Sequence, residues 1–249
     1  MKKQISILAA VFATVAFVSC SKEKINPQDE QKSEELTTTN ISTARTVTDP
    51  LTINLEGFYK FNKNLKDVTG KLKDGSQYPL TRTGVIYTSD RFGIANAALK
   101  FDGTYWVNIP DVPQQTHTSI SVWVKRTDLF SDMEIVSPNG KGPRIDQNNY
   151  VFRGLMQTGV LTPDVYSGNV MGSGWHHVVV TYDGNDLKLY VDAIYQGSMH
   201  YAFTFSKELV YYALGGLDME GQIWKGCIDD VRFYSRTLTS KDVQALYNQ

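Results

Sequence analysis

An all-β fold, a two-sheet antiparallel sandwich closed by one short helix, is what this sequence predicts. Three observations carry that expectation. Apolar and polar residues alternate with period two in many short runs: Ile120, Val122 and Val124 share one face of a strand while Ser121, Trp123 and Lys125 share the other. Turn dipeptides and tripeptides separate the runs, at Asp102-Gly103, Pro138-Asn139-Gly140, Asp183-Gly184-Asn185 and Gly215-Gly216. A helical period is missing until the last residues.

The elements follow in order. Short strand patterns occur at LEGFYKF (55–61), ALKFDG (98–103), YWVNIP (105–110) and ISVWVKR (120–126). Others follow at YVFRGLM (150–156), around GWHHVVVTYDGNDLKLYVDA (174–193), at LVYYALGG (209–216) and at IDDVRFY (228–234). A dozen or so such strands suit two packed sheets. At the end, Thr239 with Asp242 three residues on forms a capping pair, and Val243, Leu246 and Tyr247 make an apolar stripe. The helix is short enough to need the sheets for support, and is expected over one of their open ends.

The N-terminal fifth of the chain reads differently. Residues 1–19 combine Lys2 and Lys3 with an uncharged, mostly apolar run from Ile5 to Val18, the pattern of an export signal. That run falls short of the ~20 residues a membrane-spanning helix needs. Phe17-Val18-Ser19-Cys20 resembles the lipobox of bacterial lipoproteins, with phenylalanine where leucine is usual, and so implies lipidation of Cys20. Residues 20–50 carry few apolar side chains and no aromatic, too little to offset backbone ordering, and are expected to be a disordered tether. The SKEK after Cys20 is similar to signals that send Bacteroidetes-type lipoproteins to the outer face of the outer membrane. The folded domain is expected over residues 51–249.

Composition removes some functions. A net charge of −1 without a Lys/Arg stripe argues against nucleic acid. The two cysteines, Cys20 and Cys227, leave no disulfide within the chain once Cys20 is lipidated, and Cys227 reads as a small buried apolar residue. The adjacent His176 and His177 point to opposite faces of a strand and cannot share a metal ion. The glycines of SGNVMGSG (167–174) precede a strand, so a phosphate cradle would lack its helix N-terminus.

Taken in order, five motifs resemble the laminin-G-like domain of the concanavalin A-like lectin and glucanase superfamily. They are FYKFNKNLKDVTGK (58–71), RFGIANAALKFDGTYWVNIP (91–110), TSISVWVKR (118–126), GWHHVVVTYDGNDLKLYVDA (174–193) and GCIDDVRFYSRTLTSKDVQALY (226–247). The resemblance implies a jelly roll of two curved antiparallel sheets with a concave face and end loops open to ligands. It also implies a structural calcium ion, held by Asp67 and Asp229 with carbonyls of residues 93–96. Two departures stand out. Asp192-Ala193 replaces the usual Asp-Gly, and alanine resists positive φ, so a different or longer turn is expected there. Residues 127–172 match the family least.

Some relatives of this fold hydrolyse glucans with two carboxylates, ~5 Å apart in retaining enzymes. Only Glu56, Glu134, Glu208 and Glu220 are available in the domain, and the closest acidic pairs are Asp132/Glu134 and Asp218/Glu220. Neither sits in the Glu-x-Asp-x-(x)-Glu strand such enzymes carry, so the chain is expected not to be an enzyme. Non-catalytic binding of a glycan or a surface or matrix protein fits better, because aromatic rings on a rigid sheet stack on sugar C–H faces. The expected contacts are Tyr150, Phe152, Arg153, Tyr166, Tyr201 and Trp224, with Asn148 and Asn149 nearby. The alternatives are a glycoside hydrolase of the same fold and an accessory scaffold that holds other surface proteins.

Overall fold

A computed structural model of the protein describes residues 49–128, 131–170, 172–206, 208–216 and 222–249. The export signal, Cys20 and nearly all of the tether therefore lie outside the described residues, as does the Asp218/Glu220 pair. Fifteen strands and one α-helix are described: β1 (Leu55–Tyr59), β2 (Ser76–Tyr78), β3 (Tyr87–Thr88), β4 (Ala98–Asp102), β5 (Trp106–Pro113), β6 (Thr118–Arg126), β7 (Met133–Pro138), β8 (Gly142–Asn148), β9 (Val151–Gln157), β10 (Asp164–Tyr166), β11 (Trp175–Tyr182), β12 (Asp186–Val191), β13 (Ile194–His200), β14 (Leu209–Leu214), β15 (Lys225–Tyr234) and α1 (Ser240–Tyr247).

All pairings between these strands are antiparallel. One sheet runs β13-β12-β11-β6-β15-β4-β3, with β1 also paired to β15; the other runs β10-β9-β8-β7-β14-β5-β2. The sheets face each other across an apolar core to which alternate residues of each strand contribute, Val122 and Val124 from β6, Val178 and Val180 from β11, and Ile145 and Phe152 from the opposite sheet. This is the sandwich the alternation predicts, with the concanavalin A-like jelly-roll architecture.

The other residues of β11 and β12 build a second cluster on the outer face of the first sheet. Val179 and Tyr190 turn outward there and meet Leu51, Leu55, Val243 and Leu246. Thus α1 lies on the outer face of a sheet and not over an open end, because two outward apolar side chains make that face the larger sink for its stripe. The capping box forms as read: Thr239 Oγ1 accepts from the Asp242 N–H at 3.2 Å, and Asp242 Oδ2 accepts from the Thr239 N–H at 2.8 Å.

Asp192 and Ala193 make a two-residue hairpin turn between β12 and β13 with φ of 51° and 63°. The longer turn expected from the alanine does not occur. Asp192 is locked by its own carboxylate, which accepts the His177 N–H and faces His176 Nδ1, each at 2.8 Å. Ala193 packs against the cluster under α1. These contacts hold a geometry that local preference disfavours.

Candidate functional site

Strand β15 positions the site. Its Gly226–Ile228 half pairs with β4, its Val231–Tyr234 half pairs with β1, and an irregularity between Asp229 and Arg232 marks the change of neighbour. Asp230 has a φ of 47° at that point. Bulges of this kind re-aim side chains, and here they turn Asp229, Asp230 and Arg232 toward the outer face. The loop after β3 supplies the rest. Asp90 Oδ1 accepts the N–H groups of Phe92 and Ile94 at 2.9 and 2.8 Å, which folds the loop back and puts Arg91 against the bulge.

The result is a cleft of about 440 Å³. Its lining includes Phe58, Lys60, Asp90, Arg91, Phe92, Asp229, Asp230 and Arg232. A second cleft of about 370 Å³ shares Arg91, Phe92 and Gln249 with it, and adds Trp123, Trp175 and Tyr247. The two make one groove, with charge at one end and rings at the other. Trp123 is the floor, stacked on Tyr247 at 5.5 Å, on His177 at 5.1 Å and under the Arg91 guanidinium at 4.6 Å. Phe92 is 63% exposed and Tyr247 is 37% exposed, while Trp175 is half-buried.

Burial and like charge shape the electrostatics. Arg91 Nη1 lies 2.8 Å from Asp230 and 3.3 Å from Asp229, so one guanidinium serves two carboxylates. Burial, and then the neighbouring Asp230, push the Asp229 carboxyl up to about 8. Burial, reinforced by Arg232 and Arg91, holds His177 down to about 3, a neutral ring bonded to Ser121 Oγ at 2.8 Å. The histidine pair is split as expected: His177 lies outward under Trp123, and His176 lies toward Phe152, with ring centroids 5.9 Å apart.

The expected ligand contacts scatter. Phe152 and Trp224 are fully buried in the core, which corrects their assignment to a ligand surface; the strand alternation that exposes Arg153 turns Phe152 inward. Tyr150 is half-buried, and its carbonyl takes the Val170 N–H. Tyr201 is half-buried with its ring stacked on Phe203 at 6.3 Å. Only Arg153 and Tyr166 come together, 5.9 Å from guanidinium to ring, on the second sheet. Arg153 there belongs to a ladder of alternating charge: Glu134 to Arg144 at 2.7 Å, Arg144 to Asp146 at 2.6 Å, Asp146 to Arg153 at 2.6 Å, and Arg153 to Asp164 at 3.8 Å. Asn148 Nδ2 donates to Asp132 at 3.4 Å, and Asn149 Nδ2 donates to Asn148 at 3.3 Å.

The two aspartates expected to hold calcium have other partners in this structure. Both oxygens of Asp67 are occupied by N–H donors, from Phe58, Thr69, Lys71 and Leu72, and by the Thr69 hydroxyl. These bonds hold its carboxyl below the usual range despite burial. Asp229 faces a guanidinium instead of open space. Among the described residues no group of three His, Cys, Asp or Glu side chains could hold a metal ion. Calcium wants ~6–8 oxygen ligands.

The sequence did not mark the groove residues Arg91, Phe92, Trp123, Trp175, Arg232 and Tyr247 as ligand contacts. One signal was present. Trp123 and Lys125 stand on the outward, polar face of β6, and a tryptophan there needs a cover or a guest.

Two antiparallel sheets around one apolar core, with a ring-lined groove on an outer face, define a lectin-like β-sandwich. A laminin G family model, described as Concanavalin A-like lectin/glucanases superfamily, matches residues 101–244, more than half of the chain, and the chain belongs to that superfamily. Curated proteins give no match. Among solved structures, domain 4 of AbnA, a GH43 extracellular arabinanase from Geobacillus stearothermophilus in complex with arabinotriose, is similar over 78% of this chain and 98% of that one, at 21% identity and a TM-score of 0.67. The binding domain of Paraclostridial Mosquitocidal Protein 1 is similar over 80% of this chain and 52% of that one, at 16% identity and a TM-score of 0.63. A structure of botulinum neurotoxin type C, whose cell entry depends on two ganglioside molecules, covers 79% of this chain and 51% of that one, at 14% identity and a TM-score of 0.63. The chain spans about half the length of these two toxin chains. At such identities the likeness is one of fold.

Proposed function

We propose that this protein is a non-catalytic glycan-binding module carried by a lipid-anchored surface protein. The observation that carries the reading is the ring-lined end of the groove, where Phe92, Trp175 and Tyr247 surround the Trp123 floor beside a charged cleft. Sugars present apolar C–H faces and a hydroxyl rim, and such a site meets the first with rings and the second with charged and amide groups. Neighbours in fold that were solved with arabinotriose, or whose cell entry depends on gangliosides, support the reading.

Binding is favoured over hydrolysis by the state of the acids. Glu134 and Asp146 are cross-strand partners on β7 and β8, yet Arg144 bridges them and Arg153 takes the other oxygen of Asp146. Carboxylate oxygens engaged by two arginines are not free to reach the glycosidic oxygen or anomeric carbon of a substrate. The Cys20 lipid and the tether of residues 20–50 would then display the domain from the outer membrane, an assignment that rests on the sequence pattern. Among the described residues no helix is long and apolar enough to cross a membrane.

Isothermal titration of the protein against neutral and acidic polysaccharides tests the proposal. Trp175→Ala is expected to weaken binding at least tenfold, the loss of one stacked ring, with the thermal transition kept. No heat with any glycan would overturn it.

A further inference from the structure

Arg232 is the least satisfied charge in the groove. It is 6% exposed, its guanidinium sits 3.8 Å over the Phe58 ring, and Nη2 donates to Gln249 Oε1 at 2.9 Å. Nη1 is buried without a hydrogen-bond partner, and no salt bridge to Arg232 forms among the described residues. The two nearest acids on its own strand, Asp229 and Asp230, are turned to Arg91. Arginine does not shed its proton in proteins, so a buried guanidinium with one amide, one ring and carboxylates only beyond salt-bridge distance is costly unless an anion arrives. Lys60 lines the same cleft, exposed, 5.1 Å from the same ring and likewise outside every salt bridge described.

Counting charge in the cleft narrows the guest. Lys60, Arg91 and Arg232 are positive, and Asp90 and Asp230 are negative. Asp229 and Asp230 both face Arg91, which leaves Lys60 and Arg232 as the cleft cations without a salt bridge among the described residues. An anion fits between those two cations, and Asp90 and Asp230 in the same lining disfavour a second negative charge on it. The anion must also hang from a ring, because the cleft opens onto Phe92 and the rest of the aromatic groove.

We infer that the cleft binds a singly anionic sugar residue, a uronic acid or a sulfate ester within a glycan, its charged group held between Arg232 and Lys60 and its ring against Phe92. The inference rests on the glycan-binding proposal and names the class of glycan. The incoming anion would displace the Gln249 amide, since a charge-assisted bond to guanidinium is the stronger of the two.

The test is a titration of the full chain, in detergent at low salt, with four ligands. These are oligogalacturonate, the same oligomer with its carboxyls reduced to alcohols, a carrageenan oligosaccharide carrying sulfate esters, and a neutral galactan oligosaccharide. At least tenfold tighter binding of oligogalacturonate than of its reduced form, or of the sulfated than of the neutral galactan, is expected. Which pair shows it separates carboxylate from sulfate. The preference should fall at least fivefold in Lys60→Ala, an exposed position whose loss leaves the core intact, and should shrink as salt rises. Equal binding of anionic and neutral forms would overturn the inference while leaving glycan binding in place. No binding of any of the four, with none in the wider panel, would overturn both. Arg232→Gln is informative beside them: a variant that stays folded, binds neutral sugar and keeps the full anionic preference would also overturn it.

Discussion

His177 shows what a single side chain can do to the behaviour of the whole. It is wholly buried between Trp123 and Ser121, and its ring titrates near 3 instead of 6.5. The unfolded chain therefore binds a proton here that the folded chain refuses between about pH 6.5 and 3. Stability from this group is complete above the unfolded value and falls with pH through that window. His177→Gln should remove a loss of about 2–3 kcal/mol between pH 7 and pH 4.5, read as the difference in urea-unfolding free energy of the two proteins at the two pH values. Identical pH dependence in both would refute the buried-neutral assignment. Asp229 runs the other way: its folded value lies above its unfolded one, so its contribution is whole below about 4 and is lost as pH rises through about 8.

At the scale of elements, the sequence was most readable where a strand alternates or a helix is capped. β6, β11, β12 and α1 lie where the patterns put them, and the Thr239–Asp242 box is the one read from spacing. β7 and β8 were missed, because Met133–Pro138 is buried at every position and shows no alternation to see. The groove was missed for a related reason. It joins residues from β1, the loop after β3, β6, β11, β15 and the end of α1, a convergence set by sheet order, which period and spacing do not encode. The turn at Asp192-Ala193 was read from residue preference, and tertiary contacts overrode it. Alanine in the left-handed region costs about 1 kcal/mol or more, so Ala193→Gly is expected to raise stability by about 1 kcal/mol in chemical denaturation. A fall would mean that the methyl group's packing under α1 outweighs the strain.

For the molecule as a whole, net charge near zero and the absence of a basic stripe direct attention to neutral or mildly charged partners, in keeping with a cleft that sets three basic residues beside three aspartates. The anchor is a separate question from the fold, and has its own measurement. Cys20→Ala should move the protein from the detergent phase to the aqueous phase in Triton X-114 partition and abolish labelling by radioactive palmitate. Unchanged partition would remove the lipid anchor and leave the sandwich untouched.

β15 changes neighbours halfway along, from β4 to β1, and the charged cleft lies over that seam, with Phe58 and Lys60 on one bank and Arg91 and Phe92 on the other. A guest seated there would therefore act as a rivet, joining the first strand of the domain to a loop from its interior. Occupancy would register far from the sugar, as slower amide exchange along Leu55–Tyr59 and greater resistance of that strand to peeling.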